Sequence, residues 1–249
     1  YEEIQEWTYE NMLDIIAIGF NPEKTHFIID TKHAGIMYPE AIKVAKKITF
    51  STIKAAFGFT DSNNIGSIFY TSMQTVPCFL PNVLSGKNEY CLIPLAVDQD
   101  PHFRISRDVI QKLGHKKPAI LHAKFMSPLT GATGKSSSSA SHKAILMSDS
   151  DKEVKNKIKK HAFSGGQETV EKHRRLGGNI EIDVACQWLK YFEESDEKLT
   201  EIYDKYSKGK LLSGEVKAML IEKINKILKE HQERRSKAEN QLDKFIYKI

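Results

Sequence analysis

The sequence predicts an α/β layer followed by an all-helical domain, and two observations carry that expectation. Short apolar runs of strand length, Phe27-Ile28-Ile29 and Tyr90 to Val97, occur among amphipathic segments in the first part of the chain. Beyond Ser148 the texture changes to charged helix without strands, so the boundary is placed near Ser148 to Ser150.

The elements follow in order. Ile4, Trp7, Met12, Ile15, Ile16 and Ile18 stand close to helical spacing, and Gly19-Phe20-Asn21-Pro22 stops the pattern, so residues 3 to 18 are an amphipathic helix. The run within His26 to Asp30 reads as a buried strand. Residues 39 to 57 return to helical periodicity and end at Gly58-Phe59-Thr60-Asp61. The run from Tyr90 to Val97 leads directly into Asp98-Gln99-Asp100-Pro101, and polar residues just past the carboxyl end of a buried strand are where open α/β sheets place ligand chemistry. Helical segments follow at 151 to 162, 167 to 176, 183 to 194, 196 to 207 and 214 to 247, separated by Gly165-Gly166, Gly177-Gly178 and Gly209. The last carries an apolar stripe of Val216, Leu220, Ile224, Ile227 and Leu228. There are no internal repeats.

Composition bounds the function. With 249 residues, 40% of them hydrophobic, the chain can bury two cores. No stretch reaches the roughly 18 to 20 uncharged apolar residues of a membrane span, and Tyr1-Glu2-Glu3 does not resemble the start of a signal peptide. A cytoplasmic protein is expected. Cys78, Cys91 and Cys186 lack Cys-x-x-Cys spacing, so they are expected to be reduced and structural. His115, His122, His142 and His161 show no metal-ligand spacing, and no metal site is expected. The net charge of +5 is uneven, with 15 Lys and Arg against 14 Asp and Glu before residue 151 and 22 against 18 after it. That excess is compatible with a phosphate-backbone partner, although charged helix faces are ordinarily just solvated. The basic run Lys155, Lys157, Lys159 and Lys160 is read as such a face, and Trp188, Tyr191 and Phe192 as core aromatics.

The stretch Gly131 to Ser141 is rich in Gly and Ser around Lys135, a composition that suits phosphate binding or a surface loop. A P-loop is not supported, because Leu129 stands where its first glycine is needed.

Five elements stand in one order: Gly58-Phe59-Thr60-Asp61, Gln74-Thr75-Val76-Pro77, Leu95 to Arg104 with its Asp98-Gln99-Asp100-Pro101, Lys135 to Ser139, and His161-Ala162-Phe163-Ser164-Gly165-Gly166. In that order they resemble eukaryotic-type tryptophanyl-tRNA synthetases of class I over nearly the whole chain. The resemblance implies a partial Rossmann-like catalytic domain for tryptophan and ATP at 1–148 and an α-helical anticodon-binding domain at 149–249. It implies that Gln74 and Gln99 contact the polar end of tryptophan, and that Lys135, Ser137 and Ser139 belong to the loop that holds the ATP phosphates, where an ammonium stabilises charge developing on the pyrophosphate. Glu168, Arg174 and Lys217 match the readers of the tRNA anticodon. The implied partners are tRNA(Trp), tryptophan and ATP with Mg2+, and the implied assembly is a homodimer without membrane contact.

Two departures shape the expected activity. The family's signature loop ends Lys-Met-Ser-x-Ser, whereas Ser136 takes the place of the Met. The family's His-x-Gly-His element, together with the residues that recognise the indole ring and ammonium of tryptophan, would precede Tyr1. The first expectation is therefore a tRNA-binding homologue with little or no ligase activity. The second is an active tryptophan–tRNA ligase whose amino-terminal segment is outside this chain, and the third a non-catalytic dimerisation module.

Overall fold

Helices dominate because most apolar residues recur at helical spacing. The computed structural model describes residues 1–131 and 144–248. Its elements are α1 (Glu2–Ile18), α2 (Ala34–Ala45), α3 (Phe50–Phe57), α4 (Ile65–Thr75), α5 (Leu80–Ser85), β1 (Leu92–Ala96), α6 (Asp100–Ile110), β2 (Ala119–Ala123), α7 (Asp151–His161), α8 (Val170–Leu176), α9 (Val184–Phe192), α10 (Asp196–Ser207), α11 (Ser213–Ala238) and α12 (Leu242–Phe245). Among them, α3, α4 and α7 to α10 start on a side-chain cap. The helix expected over 39 to 57 is two helices. Thr49 accepts the Thr52 amide and starts α3 as a new cap, interrupting the continuous periodicity.

By packing, the chain divides into two units at different places from the expected 1–148 and 149–249. One unit holds residues 27–125 and 246–249, the other residues 1–26 and 126–245. The reason is α1, whose buried face of Met12, Leu13, Ile16 and Ala17 belongs with α11. Asp14 accepts from Arg235 and lies 2.9 Å from the buried His231, which fixes α1 along α11 by charge as well as apolar area.

In the 27–125 unit, β1 and β2 pair in parallel, Leu92 with Ala119 through Ala96 with Ala123, and α6 makes the crossover between them. Its core is Val44, Ile53, Phe79, Leu95, Phe103, Val109 and Ile110, with a second cluster around Met37, Ala41, Val76 and Leu80. The expected strand at His26 to Asp30 is not formed; a single bridge joins Phe27 to Ile246. The chain turns directly after this run, with the Lys32 and His33 amides both donating to the Ile29 carbonyl. The buried His33 instead receives the Ile29 amide on Nδ1 and lies 2.9 Å from the Tyr247 carbonyl through Nε2, holding that turn against the chain end.

The helical unit is built on α11, which packs on α1, α7 and α9 over a core that includes Val154, Ile158, Val184, Leu189, Tyr206, Val216 and Leu220. Ser150 starts α7 with a reciprocal cap, its hydroxyl taking the Glu153 amide while Glu153 takes the Ser150 amide. Trp188 is core, as expected, and donates from Nε1 to the Ser127 carbonyl at 2.8 Å. Tyr191 is not; it is 57% exposed, because it lies on the solvent side of α9.

The glycine pairs that punctuate this unit are close-packing positions. A Cβ at Gly165 would overlap the Asn179 carbonyl, and one at Gly178 would enter the Tyr206 ring. Gly165 and Asn179 also share a backbone hydrogen bond of 2.8 Å. The loops here are held against helices by the absence of side chains.

Candidate functional site

Two groups of expected site residues fall in the two units, each with its own chemistry. In the 27–125 unit, β1 ends at Ala96 and the chain passes through one 3-10 turn, Val97–Gln99, before Pro101 opens α6. Gln99 is thereby placed at the carboxyl end of the parallel pair, and Gln74 lies on α4, whose neighbours include α6. Both amides are half-buried, and neither makes a side-chain hydrogen bond to a described residue. They are available to a ligand.

The turn beside Gln99 is fastened by Asp100. Its Oδ1 lies 2.7 Å from Nε2 of His122 on β2, and Arg104 one turn along α6 pairs with its other oxygen. The hydrogen bond from His122, with Arg104 adding to it, holds the Asp100 carboxyl below the usual carboxylate range. His102 packs 4.2 Å from the Phe57 ring and lies 3.2 Å from the Thr71 hydroxyl, so α6 is tied to α3 and α4 just beyond the turn. Burial lowers the His102 pKa, which favours the neutral ring.

Lys135, Ser137 and Ser139 lie outside the described residues. The chain leading to them is anchored in the helical unit: Leu129 is buried and its carbonyl accepts the Phe163 amide at 2.8 Å. On the far side, Asp149 accepts the Leu146 amide and both of its oxygens lie 2.7 Å from the Lys157 ammonium. Lys157 is thus a buried partner, not part of a solvated basic face.

The second group lies in the helical unit. Glu168 stands in the turn before α8, exposed, paired to Lys172 at 2.7 Å. Lys217 is on the second turn of α11, half-buried, with no side-chain partner among the described residues. Burial lowers its pKa and the charge of Asp183 opposes that shift. Arg174 points elsewhere, donating from Nη1 to the carbonyls of Gly209 at 3.0 Å and Lys210 at 2.6 Å. It braces the loop before α11. The turn 167–170 and the amino end of α11 flank an open groove of about 370 Å³ lined by Gln167, Glu168, Thr169, His173, Ser213 and Glu215 among others.

Several residues that shape these sites gave no signal in the sequence. His122 is a single polar residue in an apolar run, His173 and Tyr206 stand in charged helical stretches, and only Asp183, directly before an amphipathic segment, could have been flagged as a helix cap.

Comparison with known proteins follows the same lines. A model of the class I tRNA synthetases for tryptophan and tyrosine matches residues 2–229. The tryptophan–tRNA ligase of Saccharolobus solfataricus is 48% identical over 247 residues, covering 99% of this chain and 63% of that protein. The cytoplasmic tryptophan–tRNA ligase of Saccharomyces cerevisiae is 45% identical over 250 residues, covering 98% of this chain and 58% of that one. The tryptophanyl-tRNA synthetase structure from Plasmodium falciparum superposes with a TM-score of 0.88 at 42% identity, over 99% of this chain and 67% of its own. The chain therefore spans under two thirds of the length of these curated relatives. The fold is the class I synthetase fold, a small parallel sheet with a helical carboxyl-terminal region, and the chain belongs to the tryptophanyl-tRNA synthetase family of class I.

Proposed function

We propose that the chain is the tRNA-reading portion, and part of the tryptophan- and ATP-handling portion, of a tryptophan–tRNA ligase. The observation that carries this reading is the groove between the 167–170 turn and the amino end of α11, with the Glu168 carboxylate on its wall and the Lys217 ammonium one turn up the helix. A carboxylate accepts from a cytosine amino group and an ammonium reaches base acceptors or phosphate, which suits the unstacked bases of an anticodon loop. Arg174 acts by fixing the backbone at Gly209 and Lys210, so that its contribution is to groove shape.

In the other unit, the free amides of Gln74 and Gln99 offer donors and acceptors to the polar end of tryptophan. The reaction begins with the tryptophan carboxylate attacking the α-phosphorus of ATP, and the bond to the bridging oxygen breaks as pyrophosphate departs with the electron pair. Lys135 stabilises that charge. The acyl group then passes to a terminal ribose hydroxyl of tRNA(Trp), and AMP leaves. Mg2+ would be carried by the ATP phosphates and would neutralise part of their charge, as suits an ion that keeps its waters. No cluster of three or more acidic, imidazole or thiol side chains stands ready for a metal among the described residues. The proposed setting is the cytoplasm and the proposed assembly a homodimer.

A second reading, a tRNA-binding homologue with little or no ligase activity, is favoured by Ser136 in place of the family's Met. Both readings require tRNA(Trp) binding that weakens with salt. They part at tryptophan-dependent exchange of pyrophosphate into ATP by the full-length protein. Exchange supports the ligase; its absence, with tRNA binding intact, supports the homologue. Failure to bind tRNA(Trp) overturns both.

A further inference from the structure

The carboxylate of Asp183 is completely buried, forms no ion pair among the described residues, and takes three hydrogen bonds. Oδ2 accepts the Gly165 amide at 2.8 Å and the Tyr206 hydroxyl at 2.7 Å, while Oδ1 accepts the Cys186 amide at 3.1 Å at the start of α9. An unpaired buried charge is costly, and these donors with the positive end of α9 offset that cost. Such an arrangement asks what it is for.

Two of its donors answer that, because Gly165 and Tyr206 both lead to the groove. Gly165 opens the turn that runs through Gly166 and Gln167 to Glu168. Tyr206 lies 2.9 Å, oxygen to oxygen, from the hydroxyl of Ser213, the first residue of α11, which carries Lys217 one turn later. Gly166 sits so close to the Ser213 hydroxyl that a Cβ there would overlap it. His173 closes the ring, its Nε2 lying 2.9 Å from the Leu211 carbonyl while Nδ1 accepts the Gln167 amide at 3.4 Å. The charge of Asp183 also acts on the Lys217 ammonium.

Resting on the reading of this groove as an anticodon site, we infer that Asp183, through Tyr206, is the positioning residue that sets the spacing between Glu168 and Lys217 and so determines discrimination among anticodons. Asp183 touches no RNA. One oxygen holds the wall that carries Glu168 and, by way of the Tyr206 hydroxyl, the helix that carries Lys217. A loss of that bridge leaves the two groups present but their separation unset, so binding to any tRNA survives better than the preference for the correct one.

The test measures dissociation constants of the full-length protein for tRNA(Trp) and for the same tRNA with one anticodon base changed. Asp183→Asn keeps the volume and removes the charge. Tyr206→Phe removes only the bridging hydroxyl and covers the case in which Asp183→Asn does not fold. The expected result is a cognate-to-altered ratio reduced about tenfold in both variants, the scale of one buried hydrogen bond to a charged group. In addition, Lys217→Ala should cost less affinity in the Tyr206→Phe background than in the wild type, since coupled groups are not additive. A merely structural role would lower the melting temperature and leave the ratio unchanged, and that outcome overturns the inference. If Glu168→Ala and Lys217→Ala alone leave the ratio unchanged, the anticodon reading of the groove is what fails.

Discussion

Replacing Lys157 with Met should destabilise the helical unit by about 3 kcal/mol. The Lys157 ammonium lies 2.7 Å from both oxygens of Asp149, and the two side chains are only 14% and 5% exposed. Removing one partner of a buried pair costs roughly 3 to 5 kcal/mol, mostly because the other charge is stranded. Here the lower end applies, since the Leu146 amide still donates to Asp149 at 2.9 Å. For a protein of this size, such a loss lowers Tm by roughly 6 to 12 °C. Fluorescence of the buried Trp188, in the same unit, follows the transition during heating or urea titration. Adding Asp149→Asn to the Met variant removes the stranded charge and keeps an oxygen for the Leu146 amide, so most of the loss should be recovered. A loss under about 1 kcal/mol for Lys157→Met, or a double variant no more stable than the single one, would refute the view that this pair is a buried anchor.

Three further outcomes are expected. Gly178→Ala forces a methyl into the Tyr206 ring and should cost on the order of 1 to 3 kcal/mol, read as a fall in the urea midpoint with the slope unchanged. On the proposed ligase reading, Gln99→Ala in the full-length protein should raise KM for tryptophan roughly 10- to 100-fold with little change in KM for ATP, measured by pyrophosphate exchange. Asp100 has its pKa depressed when folded, so its contribution to stability is fully present above the ordinary carboxylate range and is lost as pH falls through the folded value; a carbon-13 titration of His122→Asn should show the carboxyl moving back toward that range.

How far the fold could be read depended on how local each signal was. The helices α1, α7, α9 and α10 carry their own stops or caps, and their expected limits match the structure closely. β1 was legible because apolar residues run unbroken into a polar turn. β2 was not: Ala119-Ile120-Leu121-His122-Ala123 has no alternating pattern, although Gly114 and Pro118 precede it, and its identity as a strand comes from pairing with β1. The membership of α1 in the helical unit was equally hidden, since Asp14 reaches His231 and Arg235 across more than two hundred residues of chain.

The glycines show why the same limit bears on function. In the sequence Gly165-Gly166, Gly177-Gly178 and Gly209 read as punctuation between helices, and their placement was right. Their physical role is opposite to that of a flexible joint, because several sit where any side chain would overlap a neighbour. The positions of Glu168 and Lys217 could be matched from motifs, but a motif states only which residues are present. Whether a carboxylate and an ammonium make a site depends on their separation. That separation is set by contacts such as Asp183 with Gly165 and Tyr206 with Ser213, between segments 18 and 7 residues apart. Substitutions at the buried Asp183 and Tyr206 should therefore change recognition without removing any group that meets RNA, whereas Arg174, matched to the same role by motif, should act chiefly on the loop at Gly209 and Lys210 that its guanidinium braces.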